Sequence, residues 1–230
     1  IKLGKKFLSL TLLFLLLFFL YIYGNHSINK NQSYLKSNIE KYNIKVISPN
    51  FNLEYGLTPE AIEGRLMKLI RYSEPNKNLK TMFVWPEGVF SGYSFKEILE
   101  FKYIIQENFN KNHLILFGIN TFDQKKKGLH NSLVIVNNQL EIIQQYKKQK
   151  LVPFGEFLPF KNILNSFGLK KITEGHGSFL KGSKQENLII DQLNILPLIC
   201  YEVIFTKFIQ QSNNETNLII NISEDGWFGN

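Results

Sequence analysis

The amino-acid sequence predicts an α/β layered fold preceded by one membrane-spanning helix. Three observations lead to this prediction. Residues 7–23 form an uncharged apolar run, and short strand-like apolar runs recur from Ile44 to Ile222. Two segments between the early strands have the spacing of amphipathic helices. The chain has 230 residues, and roughly 200 of them follow the apolar run, which suits one domain with a sizeable core.

The apolar run predicts a membrane anchor. As a helix it spans about 25 Å, near the short limit for a bilayer core of about 30 Å. Its length, and the poor cleavage site at residues 24–27, argue against the alternative of a secretory signal peptide. We interpret residues 1–24 as a transmembrane helix with a basic cytoplasmic flank. Because positive charge stays inside, the rest of the chain is expected on the periplasmic or extracytoplasmic side of the inner membrane.

The periodicity places the remaining elements after a polar linker at residues 25–43. Thr58 is predicted as a helix N-cap, with Pro59 at the first helical position and apolar residues at helical spacing up to about Tyr72. Further helices are predicted at 94–108, 161–167 and 202–211. Strands are predicted at 44–49, 81–85, 114–119, 132–136, 140–146, 188–190, 195–200 and 218–222.

The composition argues against a nucleic-acid partner. The formal net charge is +8, but the basic residues are nearly all lysine, and Arg65 and Arg71 are the only arginines. Specific nucleic-acid recognition relies on arginine forks, which are scarce here. Attraction to an anionic membrane surface fits the charge better.

Three residues together indicate acyl-transfer chemistry. Cys200 is the only cysteine and ends a strand-like run, so no internal disulfide accounts for it. Taken singly, Cys200 is most simply a small buried residue, Glu87 a solvated turn residue and Lys148 part of a solvated basic run. Together they supply the nucleophile, the base and the cation that acyl transfer through a thiol requires.

The motifs around these residues carry a family resemblance. Residues 85–87 are Trp-Pro-Glu, residues 146–156 follow the pattern Tyr-x-Lys-x-x-Leu-Val-Pro-Phe-Gly-Glu, and residues 200–202 are Cys-Tyr-Glu. This order resembles the carbon–nitrogen hydrolase (nitrilase) superfamily. The stretch 151–159 is similar to one branch, the bacterial apolipoprotein N-acyltransferases, and the preceding apolar helix fits that branch.

The resemblance implies a nitrilase-like four-layer α-β-β-α sandwich over residues 44–230. It implies Glu87 as general base, Lys148 as the oxyanion-stabilising cation and Cys200 as nucleophile, with assistance from Glu156, Tyr201 and Glu202. The implied reaction moves a fatty acyl chain from a phospholipid, through a cysteine thioester, to the N-terminal diacylglyceryl-cysteine of lipoproteins. It needs no metal or organic cofactor. The phospholipid and lipoprotein preferences and the oligomeric state stay open.

The sequence departs from the family pattern in three places. One apolar helix precedes the domain where the family has several, the chain stops at Asn230, and Glu224 stands where the pattern has Asn. We therefore expect a C-terminally incomplete domain and hypothesise that this chain is inactive alone. Two other functions stay open: a carbon–nitrogen amidase with the same Glu-Lys-Cys triad, and a non-catalytic remnant.

A Cys–His pair is a weaker alternative. His113 and His130 flank strands and are expected on the surface, whereas His176, in a glycine-rich loop, is the best partner for Cys200. The chain has no Gly-x-Ser-x-Gly elbow, no His-Glu-x-x-His zinc motif and no phosphate-binding glycine-rich loop.

Overall fold

The computed structural model describes residues 2–38, 42–52, 54, 56–159, 178–184, 186–210 and 216–224. Within the first helix, side chains are described for residues 7–30. The chain divides into two compact units, Ile1–Glu40 and Lys41–Asn230. The helix predicted at 161–167 and the candidate His176 lie outside the described residues.

The first unit is one long helix, α1 (Lys2–Asn38). Its segment Phe7–Lys30 is long and apolar enough to cross a membrane. The helix continues through residues 25–38, where the sequence predicts a polar linker. This continuation is possible because the segment contains neither proline nor glycine, so nothing interrupts the helical hydrogen-bond ladder.

Five strands of the second unit form a mixed sheet, and their order in the sheet follows their order in the sequence: β1 (Asn43–Val46), β2 (Thr81–Val84), β3 (His113–Asp123), β4 (Gly128–Val136) and β5 (Ile142–Lys147). β1, β2 and β3 are parallel, whereas β3, β4 and β5 form antiparallel hairpins. All five were predicted, but β3 and β4 are longer than expected because polar residues, such as the pair Asn120 and Asn131, continue the hairpin.

Helices cover one face of this sheet. α2 (Pro59–Ser73) begins as predicted, with the Thr58 hydroxyl accepting a hydrogen bond from the Ala61 amide at 3.3 Å. The helix predicted at 94–108 is instead α3 (Phe95–Ile98), a 3-10 turn (Leu99–Phe101) and α4 (Lys102–Asn108). Ile98, Phe101 and Ile104 are buried and spaced by three, a spacing that a 3-10 turn keeps on one face.

Three strands form a second sheet, and their order in the sheet follows their order in the sequence. These strands are β6 (Leu188–Ile190), β7 (Leu193–Ile199) and β8 (Leu218–Ile222). β6 and β7 pair as the predicted antiparallel hairpin, and β8 lies parallel to β7. In place of the helix predicted at 202–211, the chain forms a 3-10 turn (Cys200–Ile204) followed by α5 (Thr206–Gln210).

The layers follow from which side chains are buried. One apolar core lies between the helices and the five-stranded sheet, and a second includes side chains from both sheets. On β7, Ile195 and Ile199 belong to the second core. Leu196 and Leu198 alternate with them, so they face the opposite side, and both are fully buried. The outer face of the second sheet is therefore covered at its central strand, whereas Ile189 on β6 and Ile219 on β8, which lie on the same face, are exposed.

A buried hydrogen bond links the helix layer to the strand that leads into the site. The Trp85 indole N–H donates to the Ser73 hydroxyl at 3.0 Å, and both residues are fully buried. Ser73→Ala leaves the indole N–H without this partner, so we expect the free energy of unfolding to fall by about 1–3 kcal/mol. Thermal or denaturant unfolding of the full chain in detergent measures this loss.

Ser178→Ala is the control, because Ser178 is exposed. It should change the free energy of unfolding by less than about 0.5 kcal/mol. Equal effects of the two substitutions would contradict the role given to the Trp85–Ser73 hydrogen bond.

Candidate active site

The ends of the strands bring the predicted residues to one place. Glu87 follows β2, Lys148 follows β5 directly, and Cys200 follows β7 directly. The charges of Glu87 and Lys148 both act on the Cys200 thiol. The chain thus gathers a carboxylate, an ammonium and a thiol from segments far apart in sequence.

The Lys148 ammonium lies at the centre of this group. Its side chain is 2% exposed, and Nζ lies 3.0 Å from Glu156 Oε1 and 3.6 Å from Glu87 Oε1. The Tyr201 ring flanks it, with the ring centroid 5.7 Å from Nζ. Burial by itself lowers the pKa of Lys148, but the charges of Glu87 and Glu156 outweigh it, and the pKa is raised. The two carboxylates thus favour the charged form of Lys148.

Glu87 has the properties of a proton acceptor. Burial raises the pKa of its carboxyl, while the Lys148 charge and a hydrogen bond from Asn131 oppose that rise. A carboxylate with a raised pKa takes up a proton more readily at neutral pH than an exposed one.

Asn131 belongs to the site, and sequence reasoning missed it. Its Nδ2 donates to Glu87 Oε1 and to Glu156 Oε1, both at 2.7 Å. It lies inside β4, just before the apolar residues that define the predicted strand. Asparagine is uncommon inside strands, so an Asn directly before a strand-like run was the available signal.

Glu156 completes the surroundings of Lys148. Besides Lys148 and Asn131, its carboxylate accepts a hydrogen bond from the Val152 amide at 2.9 Å. This contact closes the turn that follows Lys148, so Glu156 both neutralises the ammonium and shapes the loop around it.

Cys200 occupies a strained backbone position at the end of β7. Its φ is +54°, in the left-handed region that is unfavourable for residues with a side chain. Burial and the Glu87 charge raise the pKa of the thiol, while Lys148 and a hydrogen bond with Ser223 lower it, and the net shift is upward. The raised pKa favours the protonated thiol, so a reaction at this sulfur would need a base to accept its proton. Ser223, directly after β8, is a second residue that the sequence did not reveal.

Glu202 lies in the framework of the site. It is fully buried. Its carboxylate accepts hydrogen bonds from the Tyr146 hydroxyl at 2.9 and 3.1 Å, the Gln149 amide at 2.8 Å, the Lys150 amide at 2.9 Å and the Ile199 amide at 3.0 Å. These bonds tie the turn that carries Cys200 to the segment that follows Lys148.

Tyr201 makes a second link between the same two segments. Its hydroxyl donates to the Leu151 carbonyl at 2.7 Å, and its ring packs edge-on against Phe205. The hydrogen bond to Leu151 thus holds the Tyr201 ring beside the Lys148 ammonium.

A small cleft opens beside Glu87. Glu224 lies on its wall, with its carboxylate over Gly88, where an added Cβ would overlap it. Among the described residues, no group of three or more His, Cys, Asp or Glu side chains is placed to hold a metal ion. The cleft is lined by Pro49, Asn50, Phe51, Pro86, Glu87, Val89 and Glu224.

The expectation that His113 and His130 lie on the surface is wrong. They are 1% and 2% exposed, because backbone carbonyls in the interior provide hydrogen-bond partners for their ring nitrogens. His113 Nε2 lies 3.0 Å from the Asn76 carbonyl, and His130 Nδ1 lies 2.8 Å from the Leu180 carbonyl.

Comparison with known proteins identifies the family. Residues 55–230 match the carbon–nitrogen hydrolase family. The chain belongs to the carbon–nitrogen hydrolase family. A relative from Rhodopseudomonas palustris named apolipoprotein N-acyltransferase is 28% identical over 83% of this chain and 38% of its own length. One of the same name from Rickettsia prowazekii is 30% identical over 98% of this chain and 45% of its own length. The chain thus spans less than half the length of these relatives.

The family's fold is also seen in solved structures. A carbon–nitrogen hydrolase from Helicobacter pylori superposes with a TM-score of 0.54 at 14% identity, over 79% of this chain and 59% of that one. The likeness confirms the nitrilase-like fold class predicted for this carbon–nitrogen hydrolase.

The framework role of Glu202 predicts a loss of stability in Glu202→Gln. Each carboxylate oxygen of Glu202 receives N–H or O–H donors, so an amide NH2 would face donors on one side. We expect the free energy of unfolding to fall by about 1–3 kcal/mol at pH 8. Glu186→Gln is the control, because Glu186 is 67% exposed. An unfolding midpoint of Glu202→Gln equal to that of the control would show that these hydrogen bonds of Glu202 do not stabilise the fold.

The thiol environment predicts a pH profile for alkylation of Cys200. The iodoacetamide rate follows the thiolate fraction, so its midpoint should lie above the usual thiol value of about 8.5. Because the Glu87 charge raises the pKa of Cys200, Glu87→Gln should move the midpoint to lower pH. A midpoint unchanged or raised in folded Glu87→Gln would show that Glu87 does not act on the thiol.

Proposed function

We propose that this chain carries the acyl-transfer site of an apolipoprotein N-acyltransferase. Its substrates would be a phospholipid as acyl donor and the N-terminal diacylglyceryl-cysteine of a lipoprotein as acceptor. The observation that carries the proposal is the grouping of Glu87, Lys148 and Cys200. The relatives with that name, and a helix suited to crossing a membrane, support the same assignment.

In the first step, Glu87 accepts the proton of the Cys200 thiol as the sulfur attacks the ester carbonyl of the phospholipid. A sulfur–carbon bond forms, and the positive charge of Lys148 stabilises the oxyanion that results. The ester carbon–oxygen bond then breaks, and Glu87 returns the proton to the leaving lysophospholipid oxygen. The product is an acyl thioester on Cys200.

In the second step, the α-amine of the acceptor attacks the thioester carbonyl. A carbon–nitrogen bond forms, the sulfur–carbon bond breaks, and Lys148 again stabilises the oxyanion. One amine proton passes through Glu87 to the Cys200 sulfur, which restores the thiol. The chemistry of these residues requires no further reactant.

Apolar side chains near the site support a lipid donor. Phe154 is exposed on the loop that carries Glu156, and Val203 and Ile204 are exposed on the turn that carries Cys200. Exposed apolar groups beside a reactive centre suit a substrate that stays in a lipid phase. We infer that this unit works at the extracytoplasmic surface of the inner membrane.

One observation favours a second candidate. Residues 55–230 match the carbon–nitrogen hydrolase family as a whole, so hydrolysis of a carbon–nitrogen bond is the alternative chemistry for the same site. A carbon–nitrogen amidase would use the same three residues, with water as the final acceptor in place of an amine.

A transfer assay decides between the two candidates. The full chain in detergent is incubated with phospholipid carrying a labelled fatty acyl chain and with a synthetic lipopeptide bearing an N-terminal diacylglyceryl-cysteine. We expect N-acylated lipopeptide from the wild type, which would refute the hypothesis that this chain is inactive alone, and none above background from Cys200→Ala. Lys148→Met should lose about 10²–10³-fold in rate, because the oxyanion loses its cation.

Lys150→Met is the matched control, since Lys150 Nζ instead lies 5.4 Å from the Phe205 ring centroid, and it should keep nearly the wild-type rate. A folded wild-type chain that makes no product would overturn the proposal. Cys200-dependent hydrolysis of short amides without transfer would establish the amidase.

A further inference from the structure

Arg65 is a buried charge on the core face of α2. It is 7% exposed and lies among inward-facing residues such as Ile62, Leu66 and Leu69. An apolar side chain of similar volume at such a position is often as stabilising or more so, because burying a charge carries a large desolvation cost. Stability alone therefore does not account for an arginine here.

The Arg65 guanidinium joins two segments that are far apart in sequence. Nη1 donates to the Val89 carbonyl at 3.3 Å, and Nη2 donates to the Asn52 carbonyl at 3.0 Å and to Glu54 Oε2 at 3.2 Å. The guanidinium carbon also lies 4.6 Å from the centroid of the Phe51 ring. A rigid planar fork can make all these contacts at once, whereas a lysine ammonium cannot.

These two segments form the walls of the cleft beside Glu87. Phe51 lines one wall, while Glu87 and Val89 line the other. Gly88 lies between the last two with φ +73°, and its carbonyl closes a tight turn by accepting from the Ser91 amide at 3.1 Å. The bond from Arg65 to Val89 therefore holds a short turn two residues from Glu87.

We propose that Arg65 is a positioning residue for Glu87, which holds the carboxylate in place through the Val89 carbonyl and fixes the opposite wall by stacking on Phe51. The kinetic consequence of this inference rests on the proposed acyl-transfer function. A displacement of about 1 Å at a reacting group can cost about 10²-fold in rate, so losing the fork should slow acylation of Cys200.

The test compares Arg65→Met and Arg65→Lys with Arg71→Met. Arg71 is the matched control because it lies on the same helix and is exposed. With phospholipid as donor, both Arg65 variants should lose about 10–100-fold in the rate constant for Cys200 acylation, with little change in KM. Arg71→Met should match the wild type, and thermal unfolding of each variant shows whether it is folded.

A second readout needs no acyl donor. In both Arg65 variants, Glu87 is held less firmly near Cys200, so the pH midpoint of iodoacetamide alkylation should move down toward that of Glu87→Gln. If the wild type forms no acyl adduct but this midpoint moves, acyl transfer fails and the positioning role stands. The positioning role is overturned if folded Arg65→Lys has the alkylation midpoint of the wild type and, where the wild type is acylated, the same acylation rate. This outcome counts even if Arg65→Met does not fold.

Discussion

The site depends on one buried ammonium. Lys148 is almost completely excluded from solvent, and an unpaired charge there would be strongly destabilising. Glu87 and Glu156 supply the opposing charge, and Asn131 binds both carboxylates and keeps them on the same side of the ammonium. The same arrangement leaves a cation beside Cys200, where an oxyanion would form. In the proposed acyl transfer, the ammonium that requires these two carboxylates is thus also the group that would stabilise the oxyanion.

Around this centre, buried hydrogen bonds act on the segments that carry the reacting groups. Glu202 joins the turn at Cys200 to the chain that follows Lys148, which helps to hold Cys200 at a positive φ. Arg65 makes a comparable connection on the other side, between the turn after Glu87 and the Phe51 wall. In each case a buried charged side chain binds backbone groups of two segments, which suits the accurate placement of loops at the ends of strands.

Local patterns predicted much of this molecule, whereas tertiary contacts account for the rest. The start of α2, the β6–β7 hairpin and the fold class followed from capping, periodicity and motifs, and the same motifs placed Glu87, Lys148 and Cys200. Asn131 was missed because its importance comes from two carboxylates at distant positions in the sequence. The burial of His130 likewise depends on a carbonyl 50 residues away. The continuation of α1 past the apolar run was not predicted, because the polar residues there were interpreted as a linker. No proline or glycine in residues 25–38 interrupts the helix.

Acyl transfer at the Lys148-centred site requires an acyl thioester on Cys200. Intact mass spectrometry of the folded chain, incubated with phospholipid and no acceptor amine, tests it most directly. We predict a mass increase of one fatty acyl group that hydroxylamine removes, that is absent from Cys200→Ala and that is much reduced in Lys148→Met. A folded wild-type chain without the adduct, or an adduct that persists in Cys200→Ala, would contradict the formation of an acyl thioester on Cys200.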